Sequence, residues 1–190
     1  DWRSFVRSLT FHGITYRREF YQKRGQPLLE HVFYEDHQYA TFPCCHAGSV
    51  TPFDLFFYDY RIGDVNQSVS NANQLKRIGH TEQVIRRMTE QYLPLPETDG
   101  KRYAAMKIQG LVLSYLTTAL LVHPDRKEGR RLAAALMKDI KAAAPEVYAL
   151  AKPKYSAFRV MNRVHMGKQG WEQILHSGLY NAICGNHDFE

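Results

Sequence analysis

The chain has 190 residues with 44% hydrophobic and 23% charged positions, which supports at least one packed core and excludes disorder as the default reading. Lys and Arg number 25 against 19 Asp and Glu, and the net charge of +6 favours an anionic partner, such as a phosphate ligand, a nucleic acid or an acidic membrane surface, without choosing among them. The longest mostly apolar stretch, residues 111–122, is interrupted by Ser114, Thr117 and Thr118; it is shorter than the roughly 18–20 residues that cross a bilayer, so no transmembrane span is expected. Cys44, Cys45 and Cys184 form an odd set with two adjacent members, which argues against a disulfide framework and for a reducing compartment. No secretory signal opens the sequence, and its first residue, Asp1, stands inside what reads as a structured segment. The expectation is a cytoplasmic protein of which this chain is a fragment.

In chain order, Trp2, Phe5, Val6 and Leu9 recur at helical spacing ahead of a polar run, which predicts a helix within residues 1–24. The aromatic and β-branched clusters at 31–34 and 55–62 suit a pleated surface and predict strands, punctuated by Gly48, Pro52 and Gly63. Between them, 35–46 lacks alternation and predicts a short helix opened by the acidic pair Glu35 and Asp36, because negative charge favours a helix N-terminus.

From Asn71 onward the sequence predicts helices separated by strong stops. Pro94 and Pro96 break the first. Residues 101–123 are apolar nearly all round, as suits a helix buried on several sides. Asp125 can cap the next, 126–144, which Pro145 ends. Two shorter helices, 153–166 and 168–184, flank Gly167.

Few of the polar clusters carry chemistry on their own. His37, Cys44, Cys45 and His46 lack the spaced Cys-x-x-Cys arrangement of a structural zinc site, and the cysteines read as small buried thiols. The basic cluster 126–131 reads as a solvated helical face, with lipid headgroups or nucleic acid as the alternative. The acidic pair, at the edge of an aromatic cluster, has the chemistry of a general base for a hydroxyl nucleophile, and adjacent side chains diverge, so only one of the two can do that work. Arg61, with its forked donors, and the hydroxyls of Ser68 and Ser70 suit a diphosphate.

Taken in order, His12 to Arg17, then Phe33, Tyr34, Glu35 and Asp36, then Tyr58 to Gly63 and Gln67 to Ser70, the pattern resembles the C-terminal half of a bacterial family 2 glycosyltransferase of the GT-A fold. The resemblance spans roughly residues 9–87. It implies that Asp36 is the base that activates the acceptor hydroxyl for inverting transfer, with Glu35 its neighbour. It further implies that Arg61, Gln67, Ser68 and Ser70 belong to the donor diphosphate or a lid over it, and that His12 and Tyr16 lie on the acceptor side. The family's donor half, a βαβ region ending in a metal-holding Asp-x-Asp, has no counterpart here, since no Asp-x-Asp occurs in the chain. A divalent metal, Mn or Mg, is therefore expected only in an intact parent, and this chain alone is expected to be inactive.

The combined expectation is an α+β protein: residues 1–70 as the acceptor-side part of a GT-A domain, with short strands and helices, and 71–190 as an all-helical C-terminal extension. The expected partners are a nucleotide-sugar donor and a glycan or lipid-linked acceptor, without nucleic acid, and with peripheral contact at the inner face of a membrane left open. The rival is a non-catalytic helical interaction module that binds nucleic acid or membrane through a basic surface.

Overall fold

The computed structural model describes residues 10–59, 61 and 70–176, and the elements below are those of the described residues. Short elements come first: a 3-10 turn at Phe11–Gly13, helix α1 at Arg18–Arg24, helix α2 at Asp36–Tyr39 and a 3-10 turn at Cys44–His46. Longer helices follow: α3 at Asn71–Lys76, α4 at Ile78–Tyr92, α5 at Asp99–Thr117, α6 at Arg126–Ala143, α7 at Pro145–Arg163 and α8 at Lys168–His176. A π-helical turn, Thr118–Val122, prolongs α5.

Helix α5 is the axis of the molecule. Its all-round apolar surface is packed by α4 on one side and α7 on another, and Ala104, Ile108, Val112 and Leu116 are wholly buried. Val84, Ile85 and Met88 of α4, Leu136, Met137 and Ile140 of α6, and Val147, Ala151 and Phe158 of α7 close the same core. The stretch 99–122 is long and apolar enough to cross a membrane by length and composition, yet over half of its 18-residue apolar window is buried inside the protein, the pattern of a central core helix.

The end of this helix is tied to α6 and α7 through its carbonyls. Pro124 has no N–H to give the Leu120 carbonyl, which instead accepts from the Arg126 guanidinium at 3.0 Å and from the buried Asn162 amide at 2.7 Å. Gly129 then packs directly on the next carbonyl back, where a Cβ would stand 1.9 Å from the oxygen of Ala119.

The α+β expectation is overturned: no strand occurs among the described residues, and the protein is helical. The 31–34 cluster is a tight turn with His31 at φ 59° and Tyr34 at φ 75°, left-handed values incompatible with a strand. Residues 49–59 run on without turn or bend, as β propensity favours, but pair with no other strand among the described residues. Propensity prepares a segment for a sheet, and a ladder needs a second strand. Of the expected N-terminal helix, residues 1–9 lie outside the described residues, and only Arg18–Arg24 of the remainder is α-helical.

The helical half follows the expected stops with two differences. Asp125 caps α6 as foreseen, accepting from the amides of Lys127 at 2.8 Å and Glu128 at 3.0 Å. Pro145, expected only as a stop, also opens α7 at its first turn, where the missing N–H is no loss. Helix α7 then continues through Pro153, the residue expected to begin a new helix. Pro153 and Ala149, whose carbonyl loses its donor, are both exposed, so water can replace the missing bond.

Candidate functional site

The acidic pair lies where the N-terminal segment meets the core. Glu35 precedes α2 and Asp36 is its first residue, both half-buried. Four residues make a marginal helix, so tertiary bonds must hold it. Gln38, buried, donates to the Gln91 side chain on α4 at 3.0 Å and accepts from the Leu29 amide at 3.1 Å, while Gln91 donates to Gln26 at 2.8 Å. Tyr103 on α5 donates to the Ala40 carbonyl at 2.9 Å. Thus both large core helices grip α2 from below.

One face of α5 does most of the gripping. Gly100, Tyr103 and Lys107 recur at helical spacing, and a Cβ on Gly100 would stand 2.4 Å from the Cys45 carbonyl oxygen, so only glycine allows this approach. Lys107 lies 5.9 Å from the Tyr103 ring centroid and interacts electrostatically with Asp36, His37 and Cys44. Burial lowers the ammonium's pKa, against the opposing pull of Cys44 and Asp36. His37 is likewise held below its ordinary value of 6.5, by burial first, with Asp36 raising it and Lys107 lowering it. Carboxylate, imidazole and ammonium thus influence one another electrostatically at the start of α2, with burial favouring the neutral imidazole.

The preceding turn is strained and clamped. Tyr34, an aromatic residue at φ 75°, sits immediately before the acidic pair. Arg77, between α3 and α4, lays its guanidinium 3.4 Å over the Phe33 ring and hydrogen-bonds the Tyr34 hydroxyl, while His80 Nδ1 accepts from the Phe33 amide at 3.1 Å. Such strain persists only where the surroundings over-determine it, and here α4 supplies the constraint.

The other sequence candidates are spread out. Tyr16 donates to the Tyr39 carbonyl at 2.9 Å and lies 3.0 Å from Cys44 Sγ, so its hydroxyl anchors the far end of α2. Burial and the Cys44 bond raise its pKa. His12 stacks between Phe11 at 3.7 Å and Tyr58 at 4.4 Å. Arg61 is at the surface, and Ser70 caps α3 by accepting from the Asn73 amide at 3.4 Å. Gln67 and Ser68 lie outside the described residues. Cys45 bonds the Thr41 carbonyl at 3.2 Å and burial pushes its thiol up to about 12, the behaviour of a structural cysteine. Among the described residues no three His, Cys, Asp or Glu side chains gather as a metal site.

Arg77 and Lys107 escaped sequence reasoning, and the strain at Tyr34, a residue of the recognised motif, was not visible in it. Lys107 had one legible signal: it is a charged residue in the middle of the mostly apolar run from Tyr103 to Leu116. The basic cluster resolves differently. Arg126 binds the Leu120 and Met166 carbonyls, Arg130 binds Asn162 at 2.5 Å, and Arg131 pairs with Glu128, so these arginines are engaged within the protein. Compared with family models, curated proteins and solved structures, the chain matches none.

Proposed function

We propose that this chain carries the acceptor-activating element of an inverting glycosyltransferase. Asp36 takes the proton of an acceptor hydroxyl as that oxygen bonds to the anomeric carbon of a nucleotide-diphosphate sugar. The bond from that carbon to the diphosphate breaks, and the electron pair leaves with the diphosphate. Glu35, pointing elsewhere, takes no part in the proton transfer. Arg61, Gln67, Ser68 and Ser70 steady the leaving group through hydrogen bonds, charge-assisted from Arg61.

The observation that carries this reading is the strained Tyr34 turn directly ahead of a half-buried aspartate on a helix anchored from two core helices. A base must be within hydrogen-bond reach of the proton it takes, and an element held this firmly fixes the carboxylate's position. A solvated acidic cap on a helix end would need neither the strain nor the anchors.

In an active preparation of the protein, Asp36→Asn lowers kcat by about 10²–10⁴-fold and leaves donor affinity nearly unchanged. Glu35→Gln has a much smaller effect on kcat. Wild-type turnover in Asp36→Asn removes the base assignment.

A further inference from the structure

Arg126, Arg130 and Arg131 spend their charge inside the protein, and the cations of α7 are placed differently. Residues 147–171 hold five Lys and Arg and no Asp or Glu. Lys152, Arg159 and Arg163 are spaced seven and four residues apart, which sets them in one row along an α-helix, and all three are exposed. Lys141, exposed on α6, lies 5.6 Å from the ring centroid of Tyr148, one turn ahead of Lys152, and extends the positive strip. No described carboxylate forms an ion pair with any of these four. The acids closest in sequence already hold partners: Asp139 pairs with Arg86 at 2.8 Å, and Glu146 accepts from the Tyr92 hydroxyl at 2.7 Å.

About a quarter turn round the same helix runs an apolar row. Ala149, Pro153, Val160 and Val164 are all exposed, the two valines by 60% and 64%. While Val147, Ala151 and Phe158 enter the core, α7 thus presents outward a row of cations bordered by a row of apolar side chains. That pairing fits an anionic bilayer, whose phosphates attract the cations and whose boundary between headgroups and acyl chains takes up the apolar row. Nucleic acid would satisfy the cations alone. Its bases stack on aromatic rings, and the outer face of α7 offers none, since Tyr155 is buried and Tyr148 is half-buried beneath Lys141.

We propose that the outer face of α7 is a docking surface for an anionic phospholipid bilayer, with the helix lying along the membrane plane. The charge complementarity and the adjoining apolar row name the occupant. No residue of the proposed transfer reaction takes part, so the two proposals stand or fall separately.

The test is flotation of the full chain with phosphatidylcholine vesicles containing about 30 mol% phosphatidylglycerol. Partitioning is expected to exceed that onto pure phosphatidylcholine tenfold or more and to weaken as salt is raised. Lys152→Gln combined with Arg159→Gln and Arg163→Gln is expected to lower it about 100-fold, roughly fivefold for each cation removed. A variant with the same net charge, Arg17→Gln combined with Arg18→Gln and Lys23→Gln at α1, is expected to partition nearly as wild type. Val160→Ser with Val164→Ser is expected to weaken vesicle binding several-fold. Helical circular dichroism reports folding, and if the α7 triple variant does not fold, the valine pair and Arg163→Gln alone decide. Equal partitioning onto pure phosphatidylcholine, wild-type partitioning of the α7 variants, or an equal loss in the α1 variant overturns the proposal. So does polyuridylate that binds more tightly than the vesicles and is insensitive to the valine pair, which would assign the row to nucleic acid.

Discussion

At the scale of single residues, glycine and charge do different work in this protein. Gly129 and Gly100 are needed because a backbone carbonyl occupies the space where a Cβ would go, 1.9 Å from Ala119 O in the first case. Gly129→Ala must push α6 off the π turn, and a loss of about 3 kcal/mol or more in unfolding free energy is expected from urea denaturation. Gly79, whose Cβ would meet nothing within 4 Å, is the control, and Gly79→Ala should be neutral or slightly stabilising. For His37 the sign follows from its lowered pKa. The unfolded chain takes up a proton near pH 6.5 and the folded one only at lower pH, so stability is full above that value and falls as pH drops below it. Lys107→Met removes a neighbouring cation, so the His37 ring should titrate at higher pH in an NMR titration and this acid sensitivity should shrink. An unchanged His37 titration would separate Lys107 from His37. The environments of these residues are not announced in sequence, because a glycine beside a carbonyl and a histidine beside a lysine are spatial facts.

Among elements, the contrast lies between α2 and the segment 49–59. Helix α2 is too short to stand alone and is ordered by Gln38, Tyr103 and Tyr16, whereas 49–59 has the stronger intrinsic preference and no strand partner among the described residues. Phe53, Leu55, Phe56 and Phe57 are 70–90% exposed, which is unusual for four large apolar side chains in five positions. Phe56→Ser should change the unfolding free energy by less than about 0.5 kcal/mol, since the ring is 90% exposed, while lowering self-association in light scattering. A loss of stability comparable with that of a core substitution would mean that Phe56 is packed in solution. The sequence was legible here only in part. Aromatic clustering predicted strands at 31–34 and 55–62, and none occurs among the described residues, because no local pattern reveals whether a second strand is available. The proline signals were ambiguous for a related reason: Pro145 both ends one helix and begins another, and Pro153 is tolerated because its side of α7 faces water.

For the whole molecule, one central helix lies at the heart of the core and also packs against the Asp36 region. Ile108 is fully buried on α5 one residue beyond Lys107, so the same helix turns one face to the core and another to the Asp36 group. Ile108→Ala should cost about 2–5 kcal/mol, measured by denaturant unfolding, through lost burial and the cavity left behind. Sequence alone determined the helices from Asn71 to Gly167 in outline, the cap at Asp125 and the central place of α5. Those features depend on periodicity and on proline and capping chemistry, which are local. It also singled out the acidic pair, since a distinctive residue order needs no coordinates. Tertiary structure alone decided that the N-terminal segment forms no sheet among the described residues, that Tyr34 is strained, that Lys107 of α5 interacts with Asp36, and that Arg77, at the junction of α3 and α4, covers the Phe33 ring. The physical reason is that strand pairing, backbone strain and charge clustering each need groups far apart in the chain to be brought within a few ångströms, and no local propensity encodes which groups those are.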